Sequence, residues 1–139
     1  GDPRPVFESA MAMAQEAGIP HSAASASQRL GRVALRAGDP AAARAAFERA
    51  LAWYRESGAT HQLDVVLYNL ATAVAASGDV AGAIEHYEAV LAADPEGKAT
   101  TLRVDTRLAL ARLHARSAQP GTAQEALAAA QSEALVLQN

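Results

Sequence analysis

The chain has 139 residues, of which half are hydrophobic and 19% are charged, enough for one folded domain with its own core. Much of the apolar content is alanine and only 4% is aromatic, a composition that favours closely packed helices over a sheet core. The net charge of −3 gives no global attraction to nucleic acid or anionic lipid, and the absence of cysteine excludes disulfides and thiolate metal sites.

Apolar residues that recur three and four positions apart predict helices along the whole chain. Leu63, Leu67 and Leu70, for example, fall on one face of a single helix. In chain order the predicted helices lie near residues 4–17, 23–37, 40–56, 60–77, 80–93, 98–117 and 121–137.

Short turns between the predicted helices carry the residues that helix ends require. Gly38 and Gly78 each suit the left-handed residue that ends a helix, and the aspartate after each can cap the next helix. Pro40 falls at the first position of the third helix, where a missing backbone amide costs nothing. The fifth helix is expected to stop at Asp94-Pro95, because proline disfavours helical geometry in the residue before it.

The pattern repeats every forty residues. Similar side chains recur at that interval in three series: Phe7, Phe47, Tyr87 and Leu127; Ala10, Ala50, Val90 and Ala130; and Leu30, Leu70 and Leu110. Gly38, Gly78 and Ala118 mark the same point of three copies, the last in a weaker turn. Such self-similarity indicates one repeated supersecondary unit, and repeat arrays are usually binding scaffolds rather than catalysts.

We therefore expect a single repeat domain over residues 1–139. Residues 1–20 form the unpaired outer helix of an incomplete repeat, followed by repeats at 21–58, 59–97 and 98–139. At the other end, Ala134 to Leu137 is apolar where a terminal cap should be polar. Either the chain is a segment of a longer array, which we favour, or its ends pair with another chain.

The repeated residues resemble the tetratricopeptide repeat family. In successive copies the resemblance is carried by Leu30-Gly31, Gly38-Asp39, Ala43, Phe47 and Ala50-Leu51; by Leu70-Ala71, Gly78-Asp79, Ala83, Tyr87, Leu91 and Asp94-Pro95; and by Leu110-Ala111, Ala123, Leu127 and Ala130. The family motif spans 34 residues, and here six more lengthen each unit. Long-period versions occur in kinesin light chains, mitotic-spindle adaptors and bacterial multidomain signalling regulators. The alanine-rich, lysine-poor composition favours the last group.

The resemblance implies an all-α fold: a right-handed superhelical stack of antiparallel helix pairs, an α-solenoid of about seven helices. The first helix of each pair would line a concave groove, and the second would lie outside. Partners of the family are peptides or extended protein segments held in that groove.

Four arginines are the most distinctive polar feature. Arg32 and Arg36 lie four residues apart, and Arg112 and Arg116 repeat the pair eighty residues later. The resemblance places both pairs on the groove side, together with four residues of the central copy: Val65, Tyr68, Asn69 and Thr72. The planar donor fork of arginine suits carboxylate or phosphate. We therefore predict a protein–protein interaction scaffold that binds a peptide or protein segment, acidic in character, and that forms part of a larger regulatory protein.

Three alternatives to this groove remain open. The arginines could be solvated or paired with nearby carboxylates. The apolar residues Leu135 to Leu137 could stack one array on another, which would make the chain a self-assembly module and a homo-oligomer. A small molecule could also bind around Tyr68, although that needs a sizeable closed pocket.

Catalysis finds no support in the sequence. His21, His61, His86 and His114 are scattered, with no two at the four-residue helical spacing of a metal pair, and no glycine-rich phosphate loop is present. We expect no enzyme activity, no metal and no cofactor, and His114 is expected to be a packing histidine. Basic stripes with interleaved aromatics are absent, so no nucleic-acid partner is expected. No apolar run approaches the roughly 20 residues that span a bilayer, so a cytoplasmic location is expected.

Overall fold

The computed structural model describes residues 1–59, 62–93, 100–117 and 120–138, with only the helical backbone at 120, 122 and 123. These ranges contain seven helices and no strand. The helices are α1 (Arg4–Glu16), α2 (Pro20–Arg36), α3 (Pro40–Ser57), α4 (Leu63–Ala76), α5 (Val80–Ala92), α6 (Thr101–Arg116) and α7 (Pro120–Gln138). The all-α architecture expected from the sequence is confirmed. The predicted stop at Asp94-Pro95 and the turn at Ala118 lie outside the described residues.

Four helices end at glycines spaced twenty residues apart. Gly18, Gly38, Gly58 and Gly78 have φ angles of 69°, 78°, 74° and 93°. After each glycine, the next amide donates to the carbonyl five residues earlier: Ile19 to Ala14, Asp39 to Ala34, Ala59 to Tyr54 and Asp79 to Val74. This is the Schellman ending, in which a left-handed residue lets the chain turn back at once. Half of the forty-residue period is therefore one helix with its turn.

Polar side chains begin two of the helices. Asp39 Oδ1 accepts a hydrogen bond from the backbone amide of Ala42 at 3.2 Å, and Thr100 Oγ1 accepts one from the amide of Arg103 at 3.1 Å. Each bond satisfies an amide that has no partner within its helix. The predicted cap at Asp39 is confirmed.

The described chain forms two compact units, Gly1–Asp79 and Val80–Asn139. In the first unit α1 packs on α2, α2 packs most extensively on α3, α3 packs on α4, and α2 also touches α4. In the second unit α5 and α7 each pack on α6.

The core of the first unit depends on small residues where α2 and α3 meet. Phe47 is fully buried, and a Cβ placed on Gly31 would lie 2.6 Å from its ring. The hydroxyl of Ser27, also fully buried, donates to the carbonyl oxygen of Ala46 at 2.6 Å. Because neither Gly31 nor Ser27 has a large side chain, the two helix backbones can approach closely.

The second unit joins α6 and α7 with an ion cluster. The Nε atoms of Arg103 and Arg107 donate to Glu133 Oε1 at 3.0 and 2.6 Å, and all three side chains are less than one quarter exposed. His114 is buried as expected. Its Nδ1 and Glu133 Oε2 are buried without a hydrogen-bond partner among the described residues.

Candidate functional site

Arg32 and Arg36 lie side by side on an exposed face of α2. With Arg29, Val33 and Phe7 of α1 they line a depression of about 320 Å³. Neither Arg32 nor Arg36 forms an ion pair or hydrogen bond with any residue that the structure describes. The first predicted arginine pair is therefore brought together, accessible and without a counter-charge.

The four predicted residues of the central copy lie on α4, in the same unit as this arginine pair. The side chain of Val65 is 38% exposed, whereas Tyr68, Asn69 and Thr72 are half-buried. The hydroxyl of Thr72 donates to the carbonyl of Tyr68 at 3.0 Å. One unit thus carries the arginines on α2 and a semi-polar face on α4.

Arg112 and Arg116 lie on α6 in the second unit, and both are exposed. Arg112 borders a largely apolar depression of about 360 Å³, whose other lining residues are Leu108, Ala111, Ala115, Gln124 and Leu127. Within the described ranges neither arginine has an ion-pair partner. Each unit therefore presents the same pair of unneutralised guanidiniums.

Sequence reasoning left Arg29 and Phe7 out of the site. Arg29 precedes Arg32 by three residues and Arg36 by seven, spacings that place all three on one helix face. That signal was available. The contribution of Phe7 was not, because it depends on how α1 packs against α2.

The charge of Arg29 also reaches the buried interior of the unit. Burial raises the pKa of the Tyr54 hydroxyl, while a hydrogen bond with Ser25 and the positive charge of Arg29 lower it. By contrast, Glu133 neutralises Arg103 and Arg107 in the second unit. Those two arginines are therefore not available to a ligand as Arg32 and Arg36 are.

The remaining chemistry of the described chain is sparse. No three of its His, Asp or Glu side chains are grouped closely enough to bind a metal ion. None of the helices in the described ranges combines the length and apolar character that crossing a bilayer requires.

Three solved structures share this architecture. The TPR domain of Arabidopsis FLU is 16% identical with a TM-score of 0.75, and the match covers 81% of this chain and 95% of that one. BtubC (BKLC) from P. vanneervenii is 15% identical with a TM-score of 0.85, over 98% of this chain and 57% of that one. A Podospora anserina kinesin light chain with nearly identical TPR-like repeats is 21% identical with a TM-score of 0.79, over 97% and 66%. At these identities the likeness shows the fold, an all-α solenoid of helix pairs.

The sequence establishes the family as well. The profile of the tetratricopeptide repeat family matches residues 22–96, just over half of the chain. The chain therefore belongs to the tetratricopeptide repeat family. No curated protein matches it in sequence. Repeats of this family are in general non-enzymatic modules for protein–protein interaction, so the partners of this chain are proteins.

Proposed function

We propose that this scaffold binds an acidic peptide or protein segment against its arginine-bearing helices. The observation that carries the proposal is the repeated pair Arg32/Arg36 and Arg112/Arg116, exposed and without carboxylate partners among the described residues. Arginine binds carboxylate through two parallel hydrogen bonds, which fixes orientation as well as charge. Asn69 and Thr72 on α4 can add hydrogen bonds to a peptide backbone.

Charge alone gives weak binding of this kind. Exposed ion pairs contribute roughly 0.2–1 kcal/mol each, so the arginines select an acidic partner while apolar contacts supply much of the affinity. Apolar side chains border both arginine pairs: Phe7 and Val33 in the first unit, and Leu108 and Leu127 in the second. A partner should therefore combine acidic with apolar residues.

Peptide titration tests the proposal. Acidic and neutral peptides of equal length and apolar content would be titrated into the wild-type chain and the Arg32→Ala/Arg112→Ala variant. We expect the acidic peptide to bind more tightly and the variant to lose most of that preference. Raising the salt concentration should weaken acidic-peptide binding, because salt screens exposed charges.

A matched control uses the same change of charge on another helix. Arg49 and Arg55 are exposed on α3, so Arg49→Ala/Arg55→Ala removes two positive charges away from α2 and α6. Affinity should stay close to wild type in this control. Unchanged affinity in Arg32→Ala/Arg112→Ala, for every peptide that binds, would refute the proposed role of the arginines.

Self-association is a second candidate function, favoured by exposed apolar residues near the C-terminal end of α7. Leu135, Val136 and Leu137 are 61%, 60% and 46% exposed. Light scattering over a range of concentrations should then show a mass that increases with concentration and a monomer in Leu135→Ser/Leu137→Ser. A constant monomeric mass of the wild-type chain would exclude this candidate.

The wider setting is also proposed. We infer a cytoplasmic, bacterial, multidomain signalling regulator of which this chain is one part, supported by its alanine-rich, lysine-poor composition. A nucleotide-binding or DNA-binding domain in the same reading frame would support that setting. We further propose that residues 1–139 form one domain; Trp53 fluorescence and circular dichroism would then report one unfolding midpoint, whereas two midpoints would contradict it.

A further inference from the structure

The first unit contains two helix pairs related by the forty-residue step, α1–α2 and α3–α4. The second pair has a helix lying on it, because α2 packs on α3 and touches α4. At that contact Ser27 donates to the carbonyl of Ala46, and Gly31 lies against the ring of Phe47. The α3–α4 pair thus shows how this fold accommodates a neighbouring helix.

The matching positions of the α1–α2 pair are open. Ala46 is fully buried, whereas Val6, its counterpart forty residues earlier, is 69% exposed. Phe47 is fully buried, whereas its counterpart Phe7 is only half-buried. The surface that α2 covers on the later pair therefore has no cover among the described residues of the earlier pair.

Two depressions mark this open surface. One, of about 320 Å³, is bordered by Phe7 and the three arginines of α2. The other, of about 380 Å³, shares Phe7 and Arg29 and extends along α2 to His21. From His21 to Arg36 the helix rises roughly 22 Å at ~1.5 Å per residue. We call this surface, lined by α1 and α2 from His21 to Arg36, the α1–α2 slot.

The slot has an apolar floor and a basic rim. The floor is formed by five side chains: Val6, Phe7, Ala10, Ala26 and Val33. The rim carries Arg29, Arg32 and Arg36, and none of the described residues that line either depression is a carboxylate. An occupant must therefore be apolar on one side and acidic beside it.

We propose that the α1–α2 slot binds an amphipathic α-helix of a partner protein. Its apolar stripe would carry small residues at i and i+4, so that it approaches Phe7 as Ser27 and Gly31 of α2 approach the later pair. Arg29 and Arg36 are about 10.5 Å apart along α2 at ~1.5 Å per residue, so acidic residues at i and i+7 of the partner would meet both. This inference rests on the proposed function and specifies the shape of the acidic partner.

A helix fits this floor better than an extended segment. A helix satisfies its own backbone hydrogen bonds, whereas an extended segment on an apolar floor would leave amides and carbonyls without partners. The helix lying on the α3–α4 pair supports the same choice, since the two pairs are copies of one repeated unit.

The test uses three synthetic peptides with the wild-type chain. The first is a 20-residue helical peptide with alanine or glycine at i and i+4 and glutamate at i and i+7 beside that stripe. The second has the same composition in an order that scatters the glutamates around the helix. The third is acidic but contains prolines that keep it extended. Fluorescence anisotropy should give at least tenfold tighter binding of the first than of the second or third.

Substitutions then locate the binding. Ala10 is exposed in the slot, so Ala10→Glu places a negative charge on the floor and should weaken binding of the helical peptide at least tenfold. Ala12 is also exposed but lies about 200° around α1 at ~100° per residue. Ala12→Glu should stay within twofold of wild type. Arg29→Ala/Arg36→Ala should weaken binding at least tenfold, and Arg49→Ala/Arg55→Ala should not.

The outcomes separate the slot from the broader proposal. Equal affinity for the helical and extended peptides, or no effect of Ala10→Glu, overturns the helix inference while acidic-segment binding stands if Arg32→Ala/Arg112→Ala still weakens it. No binding of any acidic peptide overturns both. A dimer that forms without peptide and dissociates in Ala10→Glu would make a second copy the occupant and overturn the assignment to a partner protein.

Discussion

The α2–α3 and α6–α7 pairs occupy the same place in the repeat, eighty residues apart, and are held together by different chemistry. In the first pair Phe47 is fully buried beneath Gly31, and Ser27 bonds directly to the backbone of α3. In the second pair the position of Phe47 is taken by Leu127, which is 41% exposed, and that of Ser27 by Arg107, which binds Glu133.

The difference shows what the repeat requires and what it leaves free. Both pairs keep helices of similar length at corresponding positions. Small residues allow close approach in one, whereas long charged side chains bridge the interface in the other. A helix pair needs a matched interface, and either packing or paired charges can provide it.

The largest expected effect tests whether packing is concentrated in the first pair. Phe47→Ala should reduce the free energy of unfolding by about 3–5 kcal/mol, the usual cost of removing a buried phenylalanine side chain. Leu127→Ala should cost about 1 kcal/mol, since the side chain is already partly exposed. Urea denaturation monitored by circular dichroism measures both. Similar losses would mean that the two pairs are packed alike.

The ion cluster of the second pair provides the next test. Glu133→Ala leaves Arg103 and Arg107 close together without their counter-charge and should cost about 2–3 kcal/mol, less than the ~3–5 kcal/mol of a fully buried pair. Arg103→Met/Arg107→Met/Glu133→Leu should recover most of that loss in the same denaturation measurement. If Glu133→Ala is neutral, the cluster does not hold α6 to α7.

Gly31→Ala tests the close approach of the first pair. Alanine favours a helix over glycine by about 1 kcal/mol, but its Cβ would lie 2.6 Å from the Phe47 ring. Overpacking should prevail and leave a net loss of about 1–2 kcal/mol in thermal or urea denaturation. Reducing the ring in Gly31→Ala/Phe47→Leu should relieve the clash that Gly31→Ala introduces. A more stable Gly31→Ala chain would show that α2 and α3 are further apart than described.

The smallest effect concerns a buried histidine in the second pair. His114 matches Ala34 of α2 in the repeat, and its Nδ1 has no hydrogen-bond partner among the described residues. His114→Val removes that unsatisfied atom and should stabilise the chain by about 1 kcal/mol, measured as a higher urea midpoint. A lower midpoint would indicate that the imidazole forms a favourable contact.

The sequence was sufficient for the fold and for part of the site. Apolar periodicity and the turn glycines predicted the helices, because both depend on neighbouring residues. The accessibility of Arg32 and Arg36 followed from the repeat. The link between Arg107 and Glu133 could not be predicted, since the two residues lie 26 positions apart on different helices. The open surface around Phe7 also depends on how two helices pack, which the period alone does not reveal.

The central claim is that acidic segments bind on the arginine-bearing faces of α2 and α6. Its most direct test is NMR chemical-shift mapping of the labelled chain during titration with an acidic peptide, including the side-chain Nε–H signals of Arg32, Arg36, Arg112 and Arg116. We predict saturable shifts at these signals and along the two helices, with α3 near Arg55 unaffected. Saturable shifts centred on α3, or none at these arginines at saturating peptide, would contradict the claim.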